Sequence, residues 1–206
     1  YGGYRLVTQE GRILVNNGRL EVNGTATQPV VVTSYRDDLA GNTAFGTGDD
    51  SGDTYEDGAT AGAPGDWWGF DVINGGRVRF AHTAVRYADD GLYLSVQSNL
   101  GVVADLRESV FERAADDGLY LTAASGDTIL VDGVTVRASG DDGVVTNNVY
   151  GEVRDCLIHG HPDRGVSATG WKPAFSDNVV ADNGTGFYLY NAAAATLRGN
   201  AIAYNH

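Results

Sequence analysis

The sequence predicts an all-β fold, a right-handed parallel β-helix solenoid of about 22–27 residues per coil that forms a single domain over residues 1–206. Three observations predict it. The segment ADDGLYL occurs at residues 88–94 and again at residues 115–121, and it returns in weaker form further along the chain. Apolar and polar residues alternate in short runs, which is typical of strands with one buried face. Gly, Asp and Asn interrupt these runs too often for helices to form.

The repeat holds its register in several columns. A glycine column recurs in steps of 27, 25, 22 and 21 residues, and its members are Gly91, Gly118, Gly143, Gly165 and Gly186. The first apolar column is Phe80, Leu106, Val131, Val153, Phe175 and Leu197. Five positions later the second apolar column is Val85, Phe111, Val136, Ile158, Val180 and Ile202. Between them stands a small or amide-bearing column, which is Thr83, Ser109, Val134, Cys156, Asn178 and Asn200.

These columns decide the strand direction. A hairpin reverses the chain, so residues that recur at one fixed period must lie on parallel strands of successive coils. Each coil is predicted to contain two strands, and the small column is predicted to stack inside the solenoid. An antiparallel β-sandwich is the alternative, and the columns that keep register argue against it.

Composition limits the partners. The chain has 14 basic and 27 acidic residues and a formal net charge of −13, so we expect no nucleic-acid-binding surface. The acidic excess suits divalent cations or a saline exterior, or it serves only solubility. The sequence contains no apolar run long enough to cross a bilayer, and we expect no membrane insertion.

An acidic loop insertion is predicted near residues 35–66. Calcium binds carboxylate, hydroxyl and carbonyl oxygens, and alternating residues of one short loop can supply several of them. Calcium is therefore the expected cofactor, and a loop that is merely solvated is the alternative. The candidate ligands are Asp37, Asp38, Asp49, Ser51, Asp53 and Asp57. After the loop, one of Trp67 and Trp68 is expected to face inward and the other outward.

Two aspartate columns follow the glycine repeat. The first is Asp89, Asp116 and Asp141, and the second is Asp90, Asp117 and Asp142. Coils stack about 4.8 Å apart, so each carboxylate lies close to its copies and needs compensation. We expect the carboxylates to accept turn N–H bonds while the following glycine adopts a left-handed conformation. Bridging calcium and carboxylate catalysis are the alternatives.

A column of partly aromatic residues is predicted to point outward beside the aspartates. Its members are Tyr93, Tyr120, Val145, Ser167 and Tyr188. Exposed tyrosines beside acids can stack on sugar rings, so Asp90, Asp117, Asp142, Tyr93, Tyr120 and Tyr188 are candidate ligand-binding residues for glycans. The alternative is that the tyrosines only cover a flat sheet.

One cluster offers groups for catalysis. Its members are His159, His161, Asp163, Arg164 and, a few residues later, Lys172. A lyase or epimerase needs a base beside carboxylates or a cation, and these residue types supply both. A surface turn is the alternative, and the sequence favours a protein that is not an enzyme.

Two segments carry a resemblance. GRLEVNGTATQPVVVTSYRDD (residues 18–38) and GDWWGF (residues 65–70) resemble the opening of right-handed β-helix regions in large bacterial surface proteins. The later coils resemble the looser pectate-lyase-like repeat. In that family a cleaner D-x-N-G-D-G motif stands where this chain has DDSGDTYEDG. The resemblance implies the fold and an extracellular or bacterial cell-surface location, whereas the scaffold hosts lyases, epimerases, adhesins and stalks alike.

The expected function is an extracellular structural or adhesive module of a surface protein or filamentous appendage, supported by calcium. The alternative is a polysaccharide-binding or polysaccharide-degrading protein. Neither end of the sequence carries an amphipathic capping helix, although solenoids need caps. We therefore expect either neighbouring domains of a longer chain or self-association of the coils end to end.

Overall fold

The computed structural model describes residues 5–8, 11–38, 60–97, 99, 101–170, 172–192 and 194–206, and for residues 5–8 it describes the backbone only. These residues form 22 strands, in agreement with the all-β prediction. Among them, no helix has the length and apolar character needed to cross a membrane.

The strands belong to three sheets. Sheet A contains β1 (Arg5–Thr8), β4 (Val30–Ser34), β7 (Thr83–Arg86), β10 (Val110–Glu112), β13 (Thr135–Arg137), β16 (Leu157–His159), β19 (Val179–Ala181) and β22 (Ala201–Ala203). Sheet B contains β2 (Arg12–Asn16), β5 (Trp67–Asn74), β8 (Ala88–Val96), β11 (Leu119–Ala123), β14 (Val144–Asn147), β17 (Arg164–Thr169) and β20 (Thr185–Tyr190). Sheet C contains β3 (Arg19–Asn23), β6 (Arg77–Ala81), β9 (Gly101–Arg107), β12 (Asp127–Asp132), β15 (Tyr150–Arg154), β18 (Lys172–Ser176) and β21 (Thr196–Arg198).

The chain passes from sheet A to B to C and returns to A, and each strand pairs in parallel with the strand one coil further on. This topology is a parallel β-helix. The predicted register is confirmed, because Phe80 pairs with Leu106 in one column and Val85 pairs with Phe111 in the other. The predicted insertion also falls between two strands, since β4 ends at Ser34 and β5 begins at Trp67.

The prediction of two strands per coil was wrong, because each complete coil has three. A single residue with positive φ bends the chain between sheet C and sheet A and divides the second predicted run. The residues at this corner are His82, Glu108, Gly133, Asp155, Asp177 and Gly199. Left-handed residues also turn the other two corners, such as Asn148 between sheets B and C and Tyr87 between sheets A and B. Asn and Asp tolerate this conformation better than other residues with a side chain.

The core lies inside the three sheets and is continuous along the axis. Phe70 and Phe80 are almost fully buried, with ring centroids 4.8 Å apart. Trp67 faces inward and is 1% exposed, whereas Trp68 is 61% exposed, as alternation predicted. The indole N–H of Trp67 donates to the carbonyl of Arg86 at 2.8 Å and so anchors the strand that follows the insertion.

The predicted small column stacks inside the solenoid at the corner between sheets C and A. Its Asn178 Oδ1 accepts the backbone N–H of Cys156 at 3.0 Å, and its Nδ2 donates to the carbonyl of Val153 at 2.9 Å. The same Nδ2 also donates to Asn200 Oδ1 at 2.9 Å. Amide side chains therefore satisfy backbone groups that the bend removes from the strand ladders. We call this column the first inner ladder.

Candidate functional site: the aspartate corner and the outer face of sheet B

A cluster of acidic residues lies at the start of sheet B, where the chain arrives from sheet A. We call it the aspartate corner, and it consists of Asp89, Asp90, Asp116, Asp117, Asp141, Asp142 and Asp163. Successive coils are joined here by backbone bonds, such as that from the N–H of Asp116 to the carbonyl of Asp89 at 3.0 Å. The predicted aspartate columns are therefore in register.

Close packing, not backbone conformation, explains the glycine that follows each aspartate pair. None of the five column glycines has a positive φ, so the expected left-handed conformation was wrong. A Cβ on Gly118 would lie 2.2 Å from Val136 Cγ1 and 2.7 Å from the carbonyl oxygen of Gly143. A side chain at this column would therefore collide with the core and with the next coil.

The second aspartate of each pair accepts a backbone N–H from the next coil, as the sequence predicted. Asp90 Oδ1 accepts from Asp117 and Asp117 Oδ1 accepts from Asp142, both at 3.1 Å. Asp142 Oδ1 accepts the N–H of Arg164 at 2.8 Å. In the coil after Asp142, Arg164 itself occupies this column, and its guanidinium lies 3.4 Å from Asp142 Oδ2.

Burial makes these carboxylates costly to ionise. It raises the pKa of Asp117 to about 8, the carboxylates of Asp116, Asp142 and Asp90 add to the rise, and the N–H of Asp142 opposes it. Burial likewise raises the pKa of Asp90 to about 6. It also raises the pKa of Asp142, against the N–H bond and the charge of Arg164. At neutral pH, Asp117 is therefore mostly protonated unless a cation compensates its charge.

Two groups of three carboxylates at this corner have the spacing of a metal site. Asp116, Asp117 and Asp141 can bring one oxygen each within 4.8 Å of one another, and so can Asp141, Asp142 and Asp163. Asp141 belongs to both groups, so the two groups form one continuous acidic strip. Oxygen donors of this kind suit Ca²⁺ or Mg²⁺.

The structure describes only part of the predicted calcium loop. Asp37 and Asp38 are 1% and 6% exposed. Asp37 accepts the hydroxyl of Thr33 at 2.6 Å, and Asp38 accepts the N–H and the hydroxyl of Thr60 at 2.7 and 2.9 Å. Protein donors thus contact both carboxylates. The other candidates, Asp49, Ser51, Asp53 and Asp57, lie outside the described residues, so the calcium loop stays a prediction.

Tyrosines stand beside the aspartate corner on the outer face of sheet B. The rings of Tyr93 and Tyr120 stack with centroids 5.1 Å apart and an angle of 10° between their planes. The Tyr120 hydroxyl accepts from the amide of Asn147 at 3.1 Å. Tyr188 is 42% exposed, and the guanidinium of Arg164 lies over its ring at 4.5 Å. The three tyrosines of the predicted outward column are therefore at least partly exposed, whereas Val145 and Ser167 of the same column are each only 8% exposed. The use of the column for ligand binding stays a prediction.

The structure separates the candidate catalytic residues. His159 lies on sheet A, Arg164 begins a strand of sheet B, and Lys172 begins a strand of sheet C. The Asp163 carboxylate lies 3.4 Å from the Arg164 guanidinium, so these two residues form an ion pair at the aspartate corner. These residues therefore do not converge on one cleft.

His161 lies inside the solenoid and is 2% exposed. Its Nδ1 accepts the N–H of Ser139 at 3.3 Å, and its Nε2 lies 3.2 Å from the carbonyl of Val136 and donates to it. Burial lowers the pKa of this imidazole to about 4, so the ring is neutral. With both ring nitrogens bonded to backbone, His161 offers none to a substrate.

The sequence contains a signal that indicates a structural role for His161 and not a catalytic one. Asn183 and Asn205 follow it at intervals of 22 residues, and their amides make the same kind of bonds. We call this column the second inner ladder, and it comprises Ser139, His161, Asn183 and Asn205.

The parallel coils and inner ladders define a β-solenoid, and comparison with known families gives the same class. The family described as "Right handed beta helix region" matches residues 68–206, which is most of the chain. The protein belongs to this family, and its fold is a right-handed parallel β-helix. No curated protein and no solved structure gave a significant match.

Proposed function

We propose that this chain is an extracellular structural or adhesive module of a surface protein or filamentous appendage, and that its aspartate corner binds calcium. The observation that carries the proposal is the strip of two carboxylate groups that share Asp141. The strip crosses successive coils, so an ion bound there would join them. The buried polar groups of the two inner ladders also hold neighbouring coils together, but they do so through hydrogen bonds.

The raised pKa of Asp117 makes calcium binding at this place dependent on pH. A buried carboxylate with a pKa of about 8 is uncharged at pH 7, and it becomes a good metal ligand only when its proton leaves. Calcium binding should therefore release a proton and should strengthen as the pH rises from about 6 to 8. An ordinary solvated acidic surface would show no such dependence.

The separation of the catalytic candidates favours a module without enzymatic activity. A general base has to lie within hydrogen-bonding reach of the proton that it removes. His161 is enclosed in the core, and His159 and Lys172 lie on different sheets. This arrangement supports a structural role.

Calcium titration with one matched pair of variants tests the proposal. In the wild type, calcium should raise the midpoint of thermal unfolding by several degrees, because it binds the folded state only. Asp141→Asn should abolish most of this rise, since Asp141 is a member of both carboxylate groups. Asp89→Asn removes a neighbouring carboxylate that belongs to neither group and should keep the rise. An equal response of both variants to calcium would contradict the assigned strip.

The last described coil supplies a surface for partners. Leu189, Leu197 and Ile202 face the interior column, yet they are 43%, 41% and 52% exposed. A further β-coil would bury them, either from a second copy stacked end to end or from a neighbouring domain of the same protein. Light scattering with calcium and then with a chelator separates the two, because only stacked copies raise the mass.

A second candidate function is polysaccharide binding on the outer face of sheet B. The observation that favours it is the stacked pair Tyr93 and Tyr120, which follows the half-buried Asp90 and the buried Asp117 on the same strands and turns of sheet B. Carboxylates and aromatic rings together suit sugar hydroxyls and sugar ring faces. Binding in a glycan screen that Tyr120→Ala abolishes would support this function, and binding that survives the substitution would place the glycan elsewhere.

A further inference from the structure

The basic residues of this acidic chain are concentrated on one face. The chain has 14 Lys and Arg residues, and the strands of sheet C carry seven of them. These seven are Arg19, Arg77, Arg79, Arg107, Arg154, Lys172 and Arg198. The same strands also carry five acidic residues, which are Glu21, Asp105, Asp127, Asp132 and Glu152. Sheet C therefore has a small excess of basic residues, whereas the aspartate corner is negative.

Four of these arginines surround one groove on the outer face of sheet C. Its lining includes Arg19 from the first described coil, Arg77 and Arg79 from the next, and Arg107 from the third. The groove has a volume of about 410 Å³. Val102 and Leu130 give it an apolar part, and Val102 is 46% exposed.

The groove has more positive than negative charge. Asp105 contacts Arg107 at 2.7 Å and Arg79 at 3.7 Å, and Glu21 contacts Arg19 at 2.5 Å. The Arg77 guanidinium has no carboxylate within ion-pair distance in the described part of the chain. Four guanidinium groups face two carboxylates, so the groove carries a local charge of about +2, and Arg77 is available to a ligand.

A β-bulge shapes the groove. The pairing of β12 with β9 shifts register between Thr128 and Ile129, opposite Val102 and Ala104. Val103 and Ala104 are consequently both buried, and Val102 is turned outward into the groove. Bulges of this kind redirect a side chain and are frequent beside functional sites.

We propose that this groove binds a phosphate monoester, with the phosphate between Arg77 and its neighbouring arginines and the organic part on Val102 and Leu130. A phosphate monoester carries a charge of about −1.5 to −2 and three acceptor oxygens, which matches a groove of about +2 and the forked donors of guanidinium groups. The two apolar side chains would have no partner in a free inorganic anion. The overall charge of −13 repels a long polyanion, because such a ligand extends along the acidic surface. A small ligand in the groove is repelled less, because salt screens charges that lie more than about 10 Å away.

Titration calorimetry at low ionic strength tests the assignment with three probes. Phenyl phosphate should bind more tightly than phenyl sulfate, which has the same shape and one charge less. It should also bind more tightly than inorganic phosphate, which has no organic part. Arg77→Gln should weaken the binding of phenyl phosphate at least about tenfold, the effect of one charge-assisted hydrogen bond. Arg198→Gln, on the same sheet but at its far end, should leave the affinity unchanged.

A variant with the opposite expected effect separates a binding defect from a folding defect. Asp105→Asn removes the carboxylate that neutralises Arg79 and Arg107, so phenyl phosphate should bind about threefold or more tightly. Unchanged or weaker binding by Asp105→Asn would overturn the proposal. Equal losses in Arg77→Gln and Arg198→Gln, or equal affinities for phenyl phosphate and inorganic phosphate, would overturn it as well.

Discussion

Two polar columns follow the same corner between sheets A and B, one inside the solenoid and one outside. The inner column is the second inner ladder, with His161, Asn183 and Asn205. The outer column is formed by Asp90, Asp117 and Asp142. In both columns a side-chain acceptor receives a backbone N–H from a neighbouring coil. The bonds run in opposite directions, because inner side chains accept from the preceding coil and outer side chains from the following one.

The difference lies in what the second polar atom of each side chain does. An amide or a neutral imidazole has a donor as well as an acceptor, so Asn183 also donates to the carbonyl of Ile158 and to Asn205 Oδ1. A carboxylate has only acceptors and repels its copy in the next coil. The inner column can therefore repeat without cost, whereas the outer one needs a proton, an arginine or a cation.

The largest effect on stability is expected when one amide of an inner ladder is removed. Asn178→Ala, in the first inner ladder, should lower the free energy of unfolding by about 2–4 kcal/mol, because it leaves the N–H of Cys156 and the carbonyl of Val153 buried without partners. Urea unfolding followed by circular dichroism measures this loss. Asn23→Ala removes an exposed amide that donates to Glu21 Oε2 at 3.4 Å, and it should change stability by less than about 0.5 kcal/mol. Similar losses in both variants would break the comparison.

His161 allows a sharper test, because two substitutions differ in whether they keep the ladder. His161→Ala should cost about 2–3 kcal/mol at pH 7, since the N–H of Ser139 and the carbonyl of Val136 lose their partner. His161→Asn supplies both an acceptor and a donor and should stay within about 1 kcal/mol of the wild type. A loss as large as that of alanine in the asparagine variant would contradict the role of His161 as a ladder residue.

The pH profile of the same variants extends the test. The pKa of His161 is lowered to about 4 from 6.5. The unfolded chain therefore binds a proton that the folded protein does not, and stability is lost as the pH falls from 6.5 toward 4. Because asparagine does not titrate, unfolding midpoints of His161→Asn should fall less over this range. If the unfolding midpoints of the wild type and of His161→Asn fell equally over this range, the His161 imidazole would not be protected from protonation.

Asp117→Asn gives a smaller effect on the outer column. The pKa of Asp117 is raised from 3.8 to about 8, so the folded protein holds a proton that the unfolded chain has released, and this contribution to stability is lost as the pH rises from about 4 to 8. In a chelator, Asp117→Asn should be more stable than the wild type by about 1–2 kcal/mol at pH 8 and unchanged at pH 4. Unfolding midpoints across this range measure the difference. Asp182→Asn, which changes an exposed carboxylate, should show the wild-type profile.

Much of the fold could be predicted because the repeat places like residues on successive coils. The columns of Phe80 and Val85 are in the predicted register. The third sheet could not be predicted, because the left-handed bend falls on residues such as His82 and Glu108 as well as on Gly133. Glycine carries the strongest local signal for that conformation, Asp and His carry a weaker one, and Glu108 carries none.

The site was predicted less completely, because burial depends on neighbouring coils. Asp90 and Asp117 stand in the same local motif, yet the pKa of Asp117 is raised to about 8 and that of Asp90 only to about 6. The basic groove gave no sequence signal, because 58 residues separate Arg19 from its partner Arg77. The insertion hides the register at that place.

The parallel stacking of coils also determines how the module responds to load. A coil of 22 residues, such as that from Val131 to Val153, adds only about 4.8 Å to the length of the solenoid. The same residues span about 75 Å when fully extended. A pull along the axis loads the coils in series, so each coil that unwinds lengthens the chain about fifteen-fold over its own rise. Such a solenoid is a short rod at rest and a long, extensible tether under tension.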